Sequence, residues 1–214
     1  MGSERVPGRP TDEKNEVLLR RALDGDEEAF AQLFEKNRRR LQKSIALRMD
    51  RRLSSRVGSS DVLQETYMEA ARRLPAYARE HTMPLLTWLR WIAREKTMAM
   101  YRRHFGAAKR SVGLEVPLLP VDTSAKLAAD LLSQEPSPSR KLARTELAGI
   151  LRRGMEQLRP DERELILLHD FEGVTARDAA QCLNVGEAAA AKRYARARAR
   201  LRGFLLQKGV SGSD

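Results

Sequence analysis

The chain has 214 residues, with 40 Lys or Arg against 29 Asp or Glu and a formal net charge of +11. That length allows two small domains or one of medium size, and the positive excess favours a polyanionic partner, whether DNA, RNA or an anionic membrane. The single cysteine, Cys182, excludes an internal disulfide and favours a reducing compartment, while Cys, His, Asp and Glu show no metal-ligand spacing.

The N-terminal end indicates a cytoplasmic protein. Residues 1–14 are polar and rich in Gly and Pro, which is typical of a disordered tail, and they lack the apolar core of a secretion signal. No apolar run in the sequence approaches the roughly 20 residues that cross a bilayer. We therefore expect no membrane partner.

Helical periodicity begins near Glu16 and continues to Met49, because the apolar residues recur mainly three and four positions apart. Within this stretch we expect Gly25 to end a first helix and Asp26 to cap a second. The pattern therefore predicts two amphipathic helices at the start of the first folded unit.

A third helix is predicted from Ser59 to Leu74, before Pro75. Its inward stripe consists of Leu63, Tyr67, Ala70 and Leu74, and its exposed side carries Asp61, Gln64, Glu65, Glu69 and Arg72. An acidic-polar face in a strongly basic protein favours a protein-binding surface over a nucleic-acid one. Simple solvation of these side chains is the alternative.

A fourth helix is predicted from Pro84 to about His104. Its packed stripe consists of Leu85, Trp88, Leu89, Ile92 and Ala99, and off that stripe lie Arg90, Trp91, Arg94, Met98, Tyr101 and Arg102. Exposed aromatic rings interleaved with arginines suit single-stranded DNA, because bases stack on the rings while guanidinium groups follow the backbone. Lys96 falls on the apolar stripe, which requires its ammonium group to reach water.

The stretch from Gly106 to Arg140 is rich in Pro, Ser and Gly, and we interpret it as a linker with a short helix around Ala125 to Leu132. Helical patterning then resumes, and strand-like alternation is nearly absent. The predicted fold is therefore all-α, with two helical domains joined by a flexible linker. In numbers, we expect a tail at 1–14, a domain at 15–105, the linker at 106–139, a domain at 140–207 and a tail at 208–214.

The second domain ends in the pattern of a helix-turn-helix. Pro160 suits the first position of a helix, and Thr175 with Asp178 fits a capping box that opens the next one. Asn184 suits a left-handed turn, and Gly186 is an acceptable cap for the last helix.

The last helix has two clear faces. The apolar one carries Ala190, Tyr194, Ala197, Leu201, Phe204 and Leu205, and the basic one carries Lys192, Arg193, Arg196 and Arg200. The basic face would meet phosphates and base edges in a major groove. A merely solvated basic helix is the alternative.

The order and spacing of several segments resemble bacterial sigma factors. These segments are GDEEAFAQLFEK, DVLQETYMEAARRLPAY, LTWLRWIARE with YRRH, and LRPDERELILLHDFEGVTARDAAQCLNVGEAAAAKRYARARARLR. The compact extracytoplasmic-function type, or group IV, keeps only the second and fourth sigma regions. The phrases SPSRKLARTEL and GEAAAAKRYARARARLR are similar to the planctomycete-like variety.

This resemblance implies a role for each surface. The DVLQE helix would bind the beta-prime clamp helices of core RNA polymerase through Asp61, Gln64 and Glu65. The loop from about Ala76 to Met83 would capture a flipped base of the minus-ten element. The following helix would contact that element through Arg90, Trp91, Arg94, Arg102 and Arg103. The last helix would read the minus-thirty-five element through Glu187, Lys192, Arg193 and Arg196, and the fourth region would touch the beta flap.

The sequence departs from the family pattern at several positions. Glu95 and Ala99 stand where the family often has Asn and Asp, and Ala189 and Ala191 replace the usual Thr and Lys of the last helix. Asn184 replaces the usual Gly of the turn. These changes keep the fold but leave the promoter sequence open. An anti-sigma factor is a further partner that the resemblance allows, and the sequence does not decide whether one exists.

Two other functions stay open from the residues alone. A stand-alone helix-turn-helix regulator would explain the C-terminal pattern but give the third and fourth helices no role, and an RNA-binding basic protein would show sequence-tolerant RNA affinity. An enzyme is the poorest interpretation, because no nucleophile–base pair, phosphate loop or metal cluster is visible. We expect no catalytic residues, no metal and no cofactor.

Overall fold

The computed structural model describes residues 11–80, 83–105, 119–132 and 141–210, and within these ranges every regular element is a helix. In chain order the helices are α1 (Thr11–Leu23), α2 (Glu27–Ala46), α3 (Arg51–Ser54), α4 (Ser59–Glu80), α5 (Leu85–Phe105), α6 (Val121–Leu131), α7 (Lys141–Glu156), α8 (Pro160–Ile166, continued by a π-helical turn at Leu167–Phe171), α9 (Ala176–Cys182) and α10 (Glu187–Gln207). We call α1 to α5 the N-terminal unit and α6 to α10 the C-terminal unit. The predicted all-α fold of two helical domains is confirmed. None of the helices described is long and apolar enough to cross a membrane.

The turn between α1 and α2 forms as the sequence predicts. Gly25 has a φ of +96°, a left-handed conformation that favours glycine, and the side chain of Asp26 accepts the backbone N–H of Ala29 at 2.9 Å. The second helix ends earlier than expected, at Ala46. A short helix, α3, follows it because the Asp50 carboxylate accepts a backbone N–H at its start.

The third predicted helix does not end before Pro75; α4 continues through it to Glu80. The proline lacks the N–H that would pair with the carbonyl of Ala71, and both Ala71 and Pro75 are exposed, so the lost hydrogen bond lies on the solvent side of the helix. Beyond the proline, Tyr77 is buried and stacks on Trp88 with ring centroids 4.4 Å apart. The expected loop over 76–83 is therefore helical up to residue 80, and residues 81–82 lie outside the described ranges.

Part of the expected linker belongs to the core of the C-terminal unit. Helix α6 covers Val121–Leu131, and Leu127, Ala128 and Leu131 are buried against α7 and α10. Its apolar residues recur at helical spacing, and their burial explains why this segment packs as a helix. The rest of the expected linker, 106–118 and 133–139, lies outside the described residues.

The helix-turn-helix is formed by α9 and α10. The Thr175 hydroxyl accepts the backbone N–H of Asp178 at 3.2 Å, and Asn184 adopts a φ of +51° in the turn, as predicted. Helices α7 and α10 pack closely at Gly154. A Cβ at this position would lie 3.0 Å from the ring of Phe204 on α10, so the close packing favours glycine.

The two units are docked on each other. Leu47, which follows α2, is buried in the apolar cluster of the C-terminal unit. Met83 and Trp91 pack against the core of the N-terminal unit and also against the apolar cluster around α9. The sequence predicted two domains on a tether and gave no indication of this contact.

Candidate functional site

The acidic-polar face of α4 is open to solvent. Asp61 and Gln64 are exposed and Glu65 is half-buried. Asp61 also secures the start of the helix, because its Oδ2 accepts the backbone N–H of Gly58 at 2.9 Å. Met68, which is 64% exposed, extends the face by one turn. Sequence reasoning missed Met68, although its position four residues after Gln64 places it on the same side. Methionine is enriched at protein–protein interfaces, so Met68 would suit a protein partner on this face.

Glu69 does not share that exposed face but lies at the centre of an ionic cluster between α4 and α5. Its carboxylate accepts hydrogen bonds from Arg72, Arg73 and Lys96, with Lys96 Nζ at 3.1 Å. The hydrogen bonds from Arg72, Lys96 and Arg73 outweigh burial and lower the pKa of Glu69 to about 2. The ammonium group of Lys96 therefore pairs with the Glu69 carboxylate, whereas the sequence indicated that it would reach water.

Trp91 and Tyr101 are not the exposed rings that the sequence predicted. Trp91 is half-buried between the two units, with the guanidinium of Arg73 at 5.3 Å from its ring centroid. Tyr101 is buried, and its hydroxyl accepts the backbone N–H of Asp50 at 2.9 Å. The expectation was wrong because helical spacing defines one buried face, whereas α5 packs against α2, α3 and α4 and also touches α9.

The C-terminal end of α5 keeps its basic character. Arg102 and Arg103 are exposed, and Arg103 Nη1 lies 3.2 Å from Glu65 Oε1 on α4. This pair joins the acidic-polar face to the basic end of α5. Being exposed, it contributes little to stability and exchanges readily for another partner.

A buried ionic cluster, which the sequence did not single out, lies between the units. Arg48 places Nη2 2.5 Å from Glu164 Oε1 and Nη1 2.7 Å from Glu172 Oε1. Arg90 Nη1 donates to the carbonyl of Glu172 at 3.0 Å, and Arg94 Nε lies 3.6 Å from Glu164 Oε1. Burial alone would lower the pKa of Arg48 and raise that of Glu172. The opposite charges outweigh burial, so the pKa of Arg48 rises and that of Glu172 falls.

The exposed surface of α10 carries most of the side chains predicted to read DNA. Glu187, Lys192 and Arg196 are exposed. Arg193 is half-buried, with Nη1 3.4 Å from the carboxylate of Asp161 at the start of α8. Among the four residues predicted to read the minus-thirty-five element, Arg193 alone forms an ion pair with another described residue.

Arg200, on the basic face of α10, forms an ion pair within the unit although its side chain is 54% exposed. Its Nη1 donates at 2.8 Å to the carboxylate of Glu162, which is buried and also accepts the backbone N–H of Arg159. Two other polar groups were missed. Arg177 and Gln181 on α9 line an open groove that continues to the start of α10.

The only cysteine shows no sign of reactivity. Cys182 is buried, and burial raises the pKa of its thiol to about 12, so the thiol is protonated at neutral pH. Within the described ranges, no three His, Cys, Asp or Glu side chains are grouped so that they could hold a metal ion.

Two family models match the chain. The model described as "Sigma-70 region 2" matches residues 33–105, and the model described as "Sigma-70, region 4" matches residues 148–201. The first match includes the acidic-polar face of α4 and the basic helix α5. The second includes the helix-turn-helix of α9 and α10.

Curated relatives align over most of the chain. "RNA polymerase sigma factor NccH" of Alcaligenes xylosoxydans xylosoxydans is 31% identical over 204 residues, which are 92% of this chain and 97% of that protein. "ECF RNA polymerase sigma factor SigM" of Mycobacterium tuberculosis (strain ATCC 35801 / TMC 107 / Erdman) is 28% identical, over 92% of this chain and 88% of that protein. "Probable RNA polymerase sigma factor RfaY" of Xanthomonas campestris pv. campestris is 32% identical over 77% of this chain, but the chain spans only 38% of that longer protein.

A solved structure shares the fold. It is described as "Co-crystal structure of the sigma factor RpoE in complex with the anti-sigma factor NepR from Bartonella quintana", and it has a TM-score of 0.55 and 20% identity over 82% of this chain and 96% of that one. A stand-alone regulator is not favoured, because the region 2 match accounts for the N-terminal unit. Since both regions occur in order and a relative aligns nearly end to end, the chain belongs to the RNA polymerase sigma factors of the extracytoplasmic-function type, which direct promoter-specific transcription.

Proposed function

We propose that this sigma factor binds core RNA polymerase through the exposed face of α4, and that the residues in contact with the beta-prime clamp helices are Asp61, Gln64 and Glu65. The observation that carries the proposal is an exposed acidic-polar face, with Met68 beside it, in a chain of net charge +11. Such a face does not suit a nucleic acid, because its carboxylates repel phosphates. It does suit a protein partner with basic and apolar groups.

Promoter DNA is assigned to the two basic helices. The minus-ten element is assigned to Arg90, Trp91, Arg94, Arg102 and Arg103 on α5, and the minus-thirty-five element to Glu187, Lys192, Arg193 and Arg196 on α10. Arginines beside an aromatic ring fit unpaired bases, and a basic helix after a turn fits a major groove. Arg193 would exchange Asp161, 3.4 Å away and partly exposed, for a DNA group at little cost.

Further partners follow from the same assignment. We propose that the C-terminal unit touches the beta flap, and that an anti-sigma factor binds the chain, as one binds the RpoE protein of similar fold. The protein would act in the cytoplasm, where polymerase and promoter are, and it would carry out no chemistry and use no cofactor of its own. The phrases SPSRKLARTEL and GEAAAAKRYARARARLR support membership of the planctomycete-like variety.

The polymerase assignment is tested by changing Asp61→Asn together with Gln64→Ala. Asparagine keeps an acceptor for the start of α4, so the helix stays intact while the charge and the amide are lost. We expect the affinity for purified core polymerase, measured by fluorescence anisotropy, to fall at least about ten-fold, which corresponds to roughly 1.4 kcal/mol.

The matched control is Glu28→Gln with Gln32→Ala on the exposed side of α2, where a carboxylate and an amide are removed at similar spacing. This control should bind polymerase like the unchanged protein. Equal polymerase affinity of the α4 variant and the control would contradict the assigned interface.

A further inference from the structure

The docked units share an ionic contact that is almost fully enclosed. The side chain of Arg48 is 5% exposed, and those of Glu164 and Glu172 are 10% and 2% exposed. Arg48 also donates to the backbone carbonyl and hydroxyl of Ser44, so its guanidinium is fixed on the N-terminal unit. The two carboxylates come from the C-terminal unit, from α8 and from the residue after the π-helical turn.

An enclosed contact of this kind opens as a whole. Removing either carboxylate leaves part of the Arg48 charge buried without a partner, whereas complete separation returns all three groups to water. Leu47, next to Arg48, is 6% exposed and packs among apolar side chains of the C-terminal unit. Charged and apolar contacts therefore form or break together, and the docked arrangement is one defined state.

The docked arrangement engages three of the five side chains that are assigned to the minus-ten element, whereas Arg102 and Arg103 stay exposed. Arg90 is tied to the Glu172 carbonyl, Arg94 faces Glu164, and Trp91 packs against the apolar cluster around α9. Arg90 is also the least satisfied member, because its Nε is buried and has no hydrogen-bond acceptor among the described residues. A phosphate would satisfy this arginine better than the docked unit does.

The docked arrangement is also too short to reach both promoter elements. By their positions the elements lie about 25 base pairs apart, which is roughly 85 Å of DNA at about 3.4 Å per base pair. A compact chain of this length has a radius of gyration of about 17 Å and is therefore roughly 45 Å across. Binding to both elements at once requires the units to separate.

We propose that Glu164 and Glu172 hold the free protein in a closed state, in which these carboxylates compete with DNA phosphates for the arginines of the N-terminal unit. The competition rests on the proposed assignment of α5 to promoter DNA, whereas the closed state itself does not. Arg48 is the positioning residue of the closed state, and Arg90 and Arg94 are the groups that it keeps from DNA.

The test is the variant Glu164→Gln with Glu172→Gln, measured in two ways at a fixed 150 mM salt. Small-angle X-ray scattering gives the radius of gyration, which we expect to increase by several ångströms over that of the unchanged protein. Anisotropy with a fluorescein-labelled single-stranded DNA of 20 random nucleotides gives the affinity. We expect about ten-fold tighter binding if the closed state holds about nine molecules in ten, because apparent affinity scales with the open fraction.

A charge-matched control is Glu146→Gln with Glu156→Gln, two carboxylates of α7 on the same unit. It changes the net charge equally but leaves the contact between the units intact, so its radius of gyration should equal that of the unchanged protein. Any gain in its DNA affinity measures the effect of charge alone, and the ten-fold gain is expected beyond it. A second variant expected to open the closed state is Leu47→Asp, which places a charge in the apolar part of the contact. It should show the same increase in the radius of gyration as Glu164→Gln with Glu172→Gln. Circular dichroism confirms that each variant keeps its helices.

Equal radii for the unchanged protein and both opening variants would overturn the closed state. A larger radius with unchanged DNA affinity would overturn the competition. Failure of the proposed function has a different signature, namely no binding of the unchanged protein to core polymerase, and the radius measurement is independent of it.

Discussion

At the scale of single residues, internal ion pairs decide which charged side chains stay available to a partner. Helical spacing places Asp61, Gln64 and Glu69 on one side of α4, yet only the first two remain open. Glu69 is drawn into the contact with α5 because Lys96 and Arg73 converge on it. The spacing of residues along one helix predicts the side of the helix on which a side chain lies. It does not predict which other helix packs against that side.

The first prediction concerns Glu69→Gln. Folding lowers the pKa of this carboxyl from 4.5 to about 2, so its stabilisation is complete above pH 4.5 and is lost as the pH falls toward 2. We expect the variant to lose about 1–2 kcal/mol of unfolding free energy at pH 7 and to approach the unchanged protein near pH 2. Urea titrations followed by the fluorescence of Trp88 and Trp91, both in the N-terminal unit, measure this.

The control for that experiment is Glu80→Gln, an exposed carboxylate at the end of the same helix. It should change the unfolding free energy by less than about 0.5 kcal/mol. If Glu69→Gln and Glu80→Gln were equally stable at pH 7, the ionic cluster would contribute nothing to the fold.

At the scale of elements, the sequence predicted best where a local signal sets the backbone. The break at Gly25, the cap at Thr175 and the left-handed turn at Asn184 are each determined by a few adjacent residues, and each is confirmed. The end of α4 was predicted wrongly, because the burial of Tyr77 after the helix passes Pro75 depends on α5. Tertiary contacts override local propensity there.

Helix α6 gives the element-scale prediction. Leu127 is 5% exposed in the core shared with α7 and α10, so Leu127→Ala should leave a cavity and lower the stability of the C-terminal unit by about 2–4 kcal/mol. Calorimetry should show this as a lower melting temperature. Lys126→Ala, exposed on the same helix, is the control. An equal, small shift for both variants would mean that this segment is a linker after all.

At the scale of the whole molecule, the decisive contacts join residues far apart in the chain. Arg48 meets Glu164 and Glu172 across 116 and 124 positions, and no periodicity or motif connects them. The sequence therefore allowed both units to be predicted, but not that the units dock or that docking engages three of the five α5 side chains assigned to the minus-ten element. Docking depends on the complementarity of two finished surfaces, which exists only once both units have folded.

The charge distribution supports a division of labour between the surfaces. The basic excess lies on α5 and α10, where phosphates would be held, and the exposed acidic-polar face lies on α4, where a protein would be held. Because phosphate contacts release counterions, we expect DNA binding to weaken steeply with salt.

The most direct test of these assignments, α4 to polymerase and α5 and α10 to promoter DNA, is in vitro transcription. It uses a genomic library and purified core polymerase, and the transcript starts are mapped. We expect discrete starts that appear only when the chain is added. At a chain concentration near its dissociation constant for polymerase, their yield should fall several-fold with Asp61→Asn plus Gln64→Ala and stay unchanged with Glu28→Gln plus Gln32→Ala. Starts that are the same with and without the chain, or that are as strong with the α4 variant as with the unchanged protein, would contradict the assignment of α4 to polymerase.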